Sequence, residues 1–513
     1  MTVSKPNVSI SIIRAEQLAA AVDHKVLIIG QQAADATATE RTLVEGVSED
    51  FAEIAALFGE RSILAEMVRE FKRINARSTV DVIPIDDNAG ATDATATIGF
   101  SGTATASGRV FFEVGSGSRY RFAVDIVTGD TAATVAGKLN TAIQAIDTTP
   151  FTSVLSTADV DLTAVNGGTH ANDWTLFVDG SVAGITISLT AWSGGATDPT
   201  LTSALFDVIA GKRYQTIVWP HVFSDTLIKT ELAARFNVAN RLLQGVAIIC
   251  DVDSASNLET KAAALNSESV VLLASKAISS SVLTGSANRE FADVLAAKFA
   301  AVRSARLTAD QTLTPFLTTV ASSDQFGGRA LATLPYFNTV IPGLAIVRPA
   351  DDWTPTEYES FEDSGVAVIG PNDAFNGMIC GTVVTTSLTD GSGTPDTSYK
   401  FLNTVDAVNV VRDAYFTNIK ARFGQSRLTS GDLVAGRAVE NRESILAFFK
   451  QVYQSLAEDV IVADGSDAIA EFEASTVLSL DFAEGSISFA IAPTLVSGAR
   501  AFTGTVQVKF GGS

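Results

Sequence analysis

Apolar and polar residues alternate strictly near both ends of the chain. Val8, Ile10 and Ile12 are separated by Ser9 and Ser11, and Val506, Val508 and Phe510 by Gln507 and Lys509. A period of two places each apolar trio on one face of a β-strand. Neither segment has an evident strand beside it in sequence, and a lone strand leaves its backbone N–H and C=O groups unpaired. Each must therefore dock on a sheet. Two alternatives follow: each strand edges its own domain, or each is lent to another subunit, which terminal strands do most easily.

Between these ends the period switches between two and 3.6. Val26–Gly30 reads as a buried strand, and Ile63, Leu64, Met67, Val68, Phe71 and Ile74 form one apolar helical stripe. Val80–Ile85 returns as a strand, giving a β–α–β start. From about Asp87 to Asp198 the chain is dense in Thr, Ala, Gly and Ser, and Lys138 is its single lysine. Short alternating strands are predicted there at Arg109–Val114, Tyr120–Val127, Trp174–Val178 and Ile185–Leu189, with a helix at Thr131–Ile146. The segment reads as a small β-rich domain inserted into a host.

The α/β rhythm then resumes with a helix at Leu227–Leu243, strands Val246–Cys250 and Val270–Ala274, a helix at Phe291–Arg306 and a strand Val366–Ile369. Such alternation implies a mostly parallel sheet with helices on both faces. Thr389–Asp396 reads as a linker; beyond it come helices Asn403–Phe423 and Glu443–Glu458 and strands Thr476–Phe482 and Ser486–Ala492. The expected fold class is multidomain α/β and α+β. Its parts are an arm at 1–22, an α/β body at 23–87 plus 201–388, the β-rich insert at 88–200, an α+β domain at 397–498 and an arm at 499–513.

Charge and composition narrow the function. The 513 residues carry 36 Lys+Arg against 57 Asp+Glu, a net charge of −21, with no run of four basic residues. Direct nucleic-acid binding, which rests on clustered cations, is not expected. Cys250 and Cys380 are the only cysteines, which suits a reducing compartment. No signal peptide is read in the first thirty residues and no apolar run approaches 18, so a soluble protein made in a cytoplasm is expected.

Candidate chemistry is sparse. His24, His170 and His221 have no metal-ligand spacing, and no GxSxG or GxxxxGK[ST] sequence is present. Gly115-Ser116-Gly117 and Gly391-Ser392-Gly393 read as turns rather than phosphate loops. The acidic run around Asp351, Asp352 and Glu357 lacks calcium-loop spacing and reads as a helix start with Pro355 in its first turn. Cys250 reads as core. No catalytic residue, cofactor or metal is expected, and the chain is not expected to be an enzyme.

The order of segments resembles the contractile-tail sheath proteins of bacteriophages, particularly the Mu-like branch. The resemblance covers nearly the whole chain and is carried by Leu205–Pro220 (LFDVIAGKRYQTIVWP) with the helix and strand through Asp251, by Pro335–Gly370, by Ala499–Phe510 (ARAFTGTVQVKF), and in the insert by Gly108–Val114 and Val127–Ala133. It implies an α/β body subtilisin-like in fold only, since no Ser/His/Asp set maps onto this chain. It further implies stacked hexameric rings around a tail tube, built by the chain with itself and with tube, baseplate and tail-terminator proteins in the virion, and assembled in the host cytoplasm. Contraction without ATP would drive the tube through the host envelope. In this setting Val8, Ile10, Ile12, Val506, Val508 and Phe510 are expected to pair with neighbouring subunits, and Gly498, with Leu18–Val22, to act as a hinge. By the same likeness the two C-terminal helices would face the tube and the insert the exterior. The competing readings are a secreted acidic surface-layer or adhesin-type protein and a cryptic hydrolase.

Overall fold

The structure, a computed structural model, describes residues 24–115, 117–236, 242–276, 289–307, 336–344, 352–371, 377–433 and 438–496. Val8, Ile10, Ile12, Leu18–Val22, Gly498, Val506, Val508 and Phe510 lie outside the described residues. Two compact units are formed, and among the described residues they span 24–409 and 410–496.

The larger unit begins with strand β1 (Lys25–Gln31), helices α1 (Phe51–Phe58) and α2 (Ile63–Ile74), and strand β2 (Thr79–Ile85). The side chains of Asp50 and Ser62 accept hydrogen bonds from Ala52 N and Ala65 N, capping the two helices. The insert follows as β3 (Thr95–Gly102), β4 (Gly108–Val114), β5 (Arg121–Ile126), α3 (Ala132–Gln144), β6 (Phe151–Ser156), β7 (Asp159–Ala164), β8 (Leu176–Asp179) and β9 (Ile185–Ser193). Its strands make two antiparallel sheets, ordered β6-β7-β3-β9 and β5-β4-β8.

The body continues with β10 (Thr216–Val218), α4 (Asp225–Phe236), β11 (Val246–Asp253), α5 (Ala255–Leu265), β12 (Val270–Lys276), α6 (Ala292–Leu307), α7 (Pro355–Asp363), β13 (Val366–Pro371) and β14 (Met378–Cys380). These close a seven-stranded sheet ordered β14-β13-β12-β11-β10-β1-β2, parallel except for β14. Its strands are apolar on both faces because both are covered. Val26 and Ile28 join the core that includes α2 and α6, while Leu27 and Ile29 join the core that includes α4, α5 and α7. Val246, Ile248 and Cys250 face the first core, and Ala247 and Ile249 the second.

Both outer edges of this sheet are capped from within the unit. Beside β2, Val44 and Val82 exchange backbone hydrogen bonds at 2.8 and 2.9 Å, and Val47 N donates to Val80 O at 2.8 Å. Beside β14, Ile341 N donates to Met378 O and Cys380 N to Thr339 O, each at 2.9 Å.

The boundary between the units falls inside helix α8 (Leu402–Phe423), between Asn409 and Val410. The smaller unit adds the short ladder of β15 (Arg427–Leu428) and β16 (Val439–Glu440), helices α9 (Arg442–Glu458) and α10 (Ser466–Ser475), and the antiparallel hairpin β17 (Val477–Asp481) and β18 (Ser486–Ala490). Tyr415, Phe449, Tyr453 and Phe472 form its aromatic core.

Three departures from the sequence reading have local causes. The helix expected to reach Leu243 ends at Phe236 among the described residues, and Leu242–Gly245 is not helical. A Cβ at Gly245 would lie 2.0 Å from the Tyr214 carbonyl oxygen, so the chain approaches β10 as closely as only glycine permits. Strands β3, β6 and β7 and helix α10 were not read from the pattern; α10 buries Phe472 alone, too narrow a stripe to stand out. Thr389–Asp396 is a pinned turn, with Asn266 Oδ1 accepting from Leu388 N at 2.8 Å and Thr389 N at 3.0 Å.

Trp219 is fully buried between Phe206 and Phe223, with ring centroids 6.0 and 5.7 Å away. Trp219→Ala is expected to destabilise the larger unit by about 3–5 kcal/mol, read as a lowered denaturant midpoint for hydrogen-exchange protection across β10 and β11, with residues 410–496 unaffected.

Candidate functional site

The sheet reverses its winding between β1 and β10: the chain steps outward from β1 to β2, then crosses back to β10 and on through β11, β12 and β13. In open α/β sheets, ligands commonly bind beyond the carboxyl ends of the strands at such a point. Here the insert occupies it. Gln31, at the end of β1, donates to Asp87 Oδ1 at 2.7 Å and to the Gly167 carbonyl at 2.8 Å. Asn166 of the insert donates to the Gln32 carbonyl at 2.8 Å and accepts from Ile63 N at 2.9 Å, at the start of α2. Gly167 N donates to Asp87 Oδ2 at 2.7 Å. Burial raises the Asp87 carboxyl even though Gly167, Asn166 and Gln31 all donate to it.

Two ionic clusters flank this plug. In the first, Arg119 of the insert reaches Glu66 at 3.0 Å and Glu70 at 2.6 Å on α2, and Glu290 at 2.8 Å ahead of α6. Lys298 binds Glu290 at 2.6 Å and Glu70 at 3.1 Å. Burial works against ionised Glu70, but Arg119, Lys298 and Arg73 outweigh it and hold its carboxyl below the usual range. Next to this cluster the aromatic ring of Phe291 lies 4.4 Å from Trp174 of the insert. Gly115 (φ +47°) leaves room for that ring, since a Cβ there would fall 1.9 Å from it.

The second cluster centres on His221, just beyond β10. Its Nδ1 lies 2.9 Å from Asp293 at the start of α6, and its Nε2 lies 3.8 Å from Asp173 of the insert. Lys261 on α5 bridges Asp251 at 2.5 Å and Asp225 at 2.8 Å nearby. Burial alone would lower His221, yet Asp293, with Asp251 and Asp173 behind it, raises it to about 9, so the ring is an imidazolium at neutral pH. His170 packs edge-on to Trp174, and burial pushes it down to about 4. Cys250 is buried, and burial with Asp251 and Asp293 nearby holds its thiol well above the usual range. Among the described residues no hydroxyl or thiol is hydrogen-bonded to His221. The arrangement works as an ionic clamp between body and insert.

His24 and His170 are thus buried and His221 is half-buried; His24 bonds Thr216 Oγ1 at 3.1 Å. The partnerships of His221 with Asp293 and of Arg119 with Glu66 and Glu70 were invisible in the sequence, because no local spacing links them. The acidic run does start helix α7, with Thr354 and Glu357 in a reciprocal capping box and Pro355 in its first turn. The terminal residues expected to exchange between subunits, and Gly498, lie outside the described residues.

The smaller unit offers a different kind of site. Leu478 pairs with Phe489 and Leu480 with Ile487 across the hairpin, and Phe489 packs 4.9 Å from Phe449 on α9. The opposite face carries Val477, Ser479 and Asp481 against Ala490, Ser488 and Ser486. Among the described residues neither outer edge of the hairpin bears a further strand, and Val477 and Phe489 remain 65% and 41% exposed.

The class this chain is similar to is that of phage tail sheath proteins. In particular, the Mu-like prophage FluMu tail sheath protein of Haemophilus influenzae is a homologue, 27% identical over 453 residues that span 85% of this chain and 84% of that protein. Solved sheath tail proteins from Listeria innocua and Desulfitobacterium hafniense align over 95% of this chain, and over 95% and 100% of their own, at 11% identity with TM-scores of 0.46 and 0.44. No protein-family model matches.

His221 carries a stability signature. Its pKa lies above the unfolded value of 6.5, so its contribution is complete below that value and is lost as pH rises through about 9. The larger unit is expected to melt at lower temperature at pH 10 than at pH 7, and His221→Gln to shrink that difference, as followed by scanning calorimetry.

Proposed function

We propose that this chain is the structural subunit of a contractile phage tail sheath, polymerising as stacked hexameric rings around a tail tube and contracting without ATP to drive the tube through the host envelope. The observation that supports this best, beside the likeness to a tail sheath protein, is the open β17–β18 hairpin. The seven-stranded sheet has both edges capped within its own unit, whereas among the described residues neither edge of the hairpin is capped. Two strands alone are marginal, and an exposed edge invites a third.

In this reading the arms bearing Val8, Ile10 and Ile12, and Val506, Val508 and Phe510, add strands to the hairpin of a neighbouring copy. Four to six residues give a similar number of backbone hydrogen bonds, each worth about 0.5–1.5 kcal/mol net. Their sum is too small to join two free subunits tightly against the cost of association. Many junctions on a common tube combine through effective concentration. The chain accordingly stays unassembled until tube and baseplate are present. Gly498 serves as the hinge that keeps arms paired while the bodies rotate. The two C-terminal helices face the tube and the insert faces outward, its ionic clamps fixing it to the body. The subunit has no catalytic role, and its partners are itself and the tube, baseplate and terminator proteins of the virion.

Negative-stain microscopy with tail tubes tests this. The full chain is expected to give striated tubes, and chains lacking residues 1–13 or 500–513 to stay folded yet give none; truncated chains that still build sheaths contradict strand exchange. Gly498→Pro is expected to assemble and then fail to contract, and normal contraction would refute the hinge.

A further inference from the structure

Backbone pairing accepts almost any extended segment, so an open hairpin needs a second source of selectivity. Charge supplies it. From Gln451 to Val496 the chain holds eight Asp and Glu and no Lys or Arg. Glu473 is engaged by Lys450 at 2.6 Å. Asp481 and Glu484, at the turn between β17 and β18, are exposed and have no cationic partner among the described residues. The ends of the chain are the reverse. Residues 1–15 contain Lys5 and Arg14, residues 497–513 contain Arg500 and Lys509, and neither segment contains an acid.

The strand period places the two lysines on the polar faces, whereas Arg14 and Arg500 share the parity of the apolar trios. Lys5 shares the polar face of its segment with Asn7, Ser9 and Ser11, and Lys509 shares its own with Gln507. On the hairpin, Asp481 lies on the outward face with Ser479, opposite the face of Leu478 and Phe489 that packs toward α9. An added strand whose apolar trio continues the Leu478 face therefore sets its lysine on the Asp481 face.

We infer that the β17–β18 hairpin is an acidic receptor selecting the basic terminal strands of a second copy of this chain, which makes assembly dependent on ionic strength. This rests on the strand-exchange reading and adds what recognises the strand. Exposed charges are screened over about 10 Å at 0.1 M salt, and each cross-strand pair shifts pairing by up to about fivefold.

Two full-length preparations test it, one carrying Gln507→Cys and the other Ser479→Cys, on the same strand and face as Asp481, mixed on tail tubes and oxidised; the native Cys250 and Cys380 are buried. Cross-linked chain pairs are expected at about 0.05 M salt and several-fold fewer at about 0.5 M. Lys509→Glu, and more mildly Lys509→Gln, in the donor are expected to lower the yield at low salt, and Asp481→Lys with Glu484→Lys in the acceptor to restore it for the Lys509→Glu donor. A yield indifferent to salt and to both reversals overturns charge selection while leaving exchange standing. No cross-link at any salt within assembled sheaths overturns exchange, and this inference with it.

Discussion

A strand that leaves its backbone groups unpaired must find a partner, and that requirement organises this chain. In the larger unit every strand of the parallel sheet lies between neighbours or is capped by an extended segment, Val44–Val47 at one edge and Thr339–Ile341 at the other. Such caps close a sheet against unplanned pairing. In the smaller unit the hairpin of two strands bears no third strand among the described residues. The insert's two sheets, ending on β6 and β9 and on β5 and β8, bear no further strand among the described residues either, so the closed edges belong to the parallel sheet and not to the whole unit.

The body is also closed at the point where α/β sheets usually take ligands. Asn166 and Gly167 cap the carboxyl end of β1, and Arg119 with Glu66, Glu70 and Glu290, and Asp173 beside His221, tie the insert to the body. Buried ion pairs add little net stability once desolvation is counted, yet removing one partner is costly. Their value here is geometric: three carboxylates and two cations from separate elements fix one orientation of insert on body.

Much of this was legible in the sequence where burial is one-sided and local. The stripe from Ile63 to Ile74 and the apolar runs VLIIG and VAIIC became the elements predicted from them, and the strand expected at Ser486–Ala492 is found at Ser486–Ala490. Strand β3 escaped notice because its Thr, Gly and Ser residues carry little hydrophobic contrast. The polar joint was illegible for a different reason. Arg119 meets Glu66 and Glu70 some fifty positions before it and Glu290 171 positions after it, and His221 meets Asp293, pairings that only the folded topology creates.

Strand exchange requires that the hairpin gain a strand from another copy. Amide hydrogen exchange across Val477–Ala490, compared between the free chain and sheaths assembled on tail tubes, measures this directly. Strand addition predicts strong new protection along the hairpin on assembly, while Val246–Asp253, already paired on both sides, changes little. Unchanged exchange in the hairpin of an assembled sheath would contradict the account.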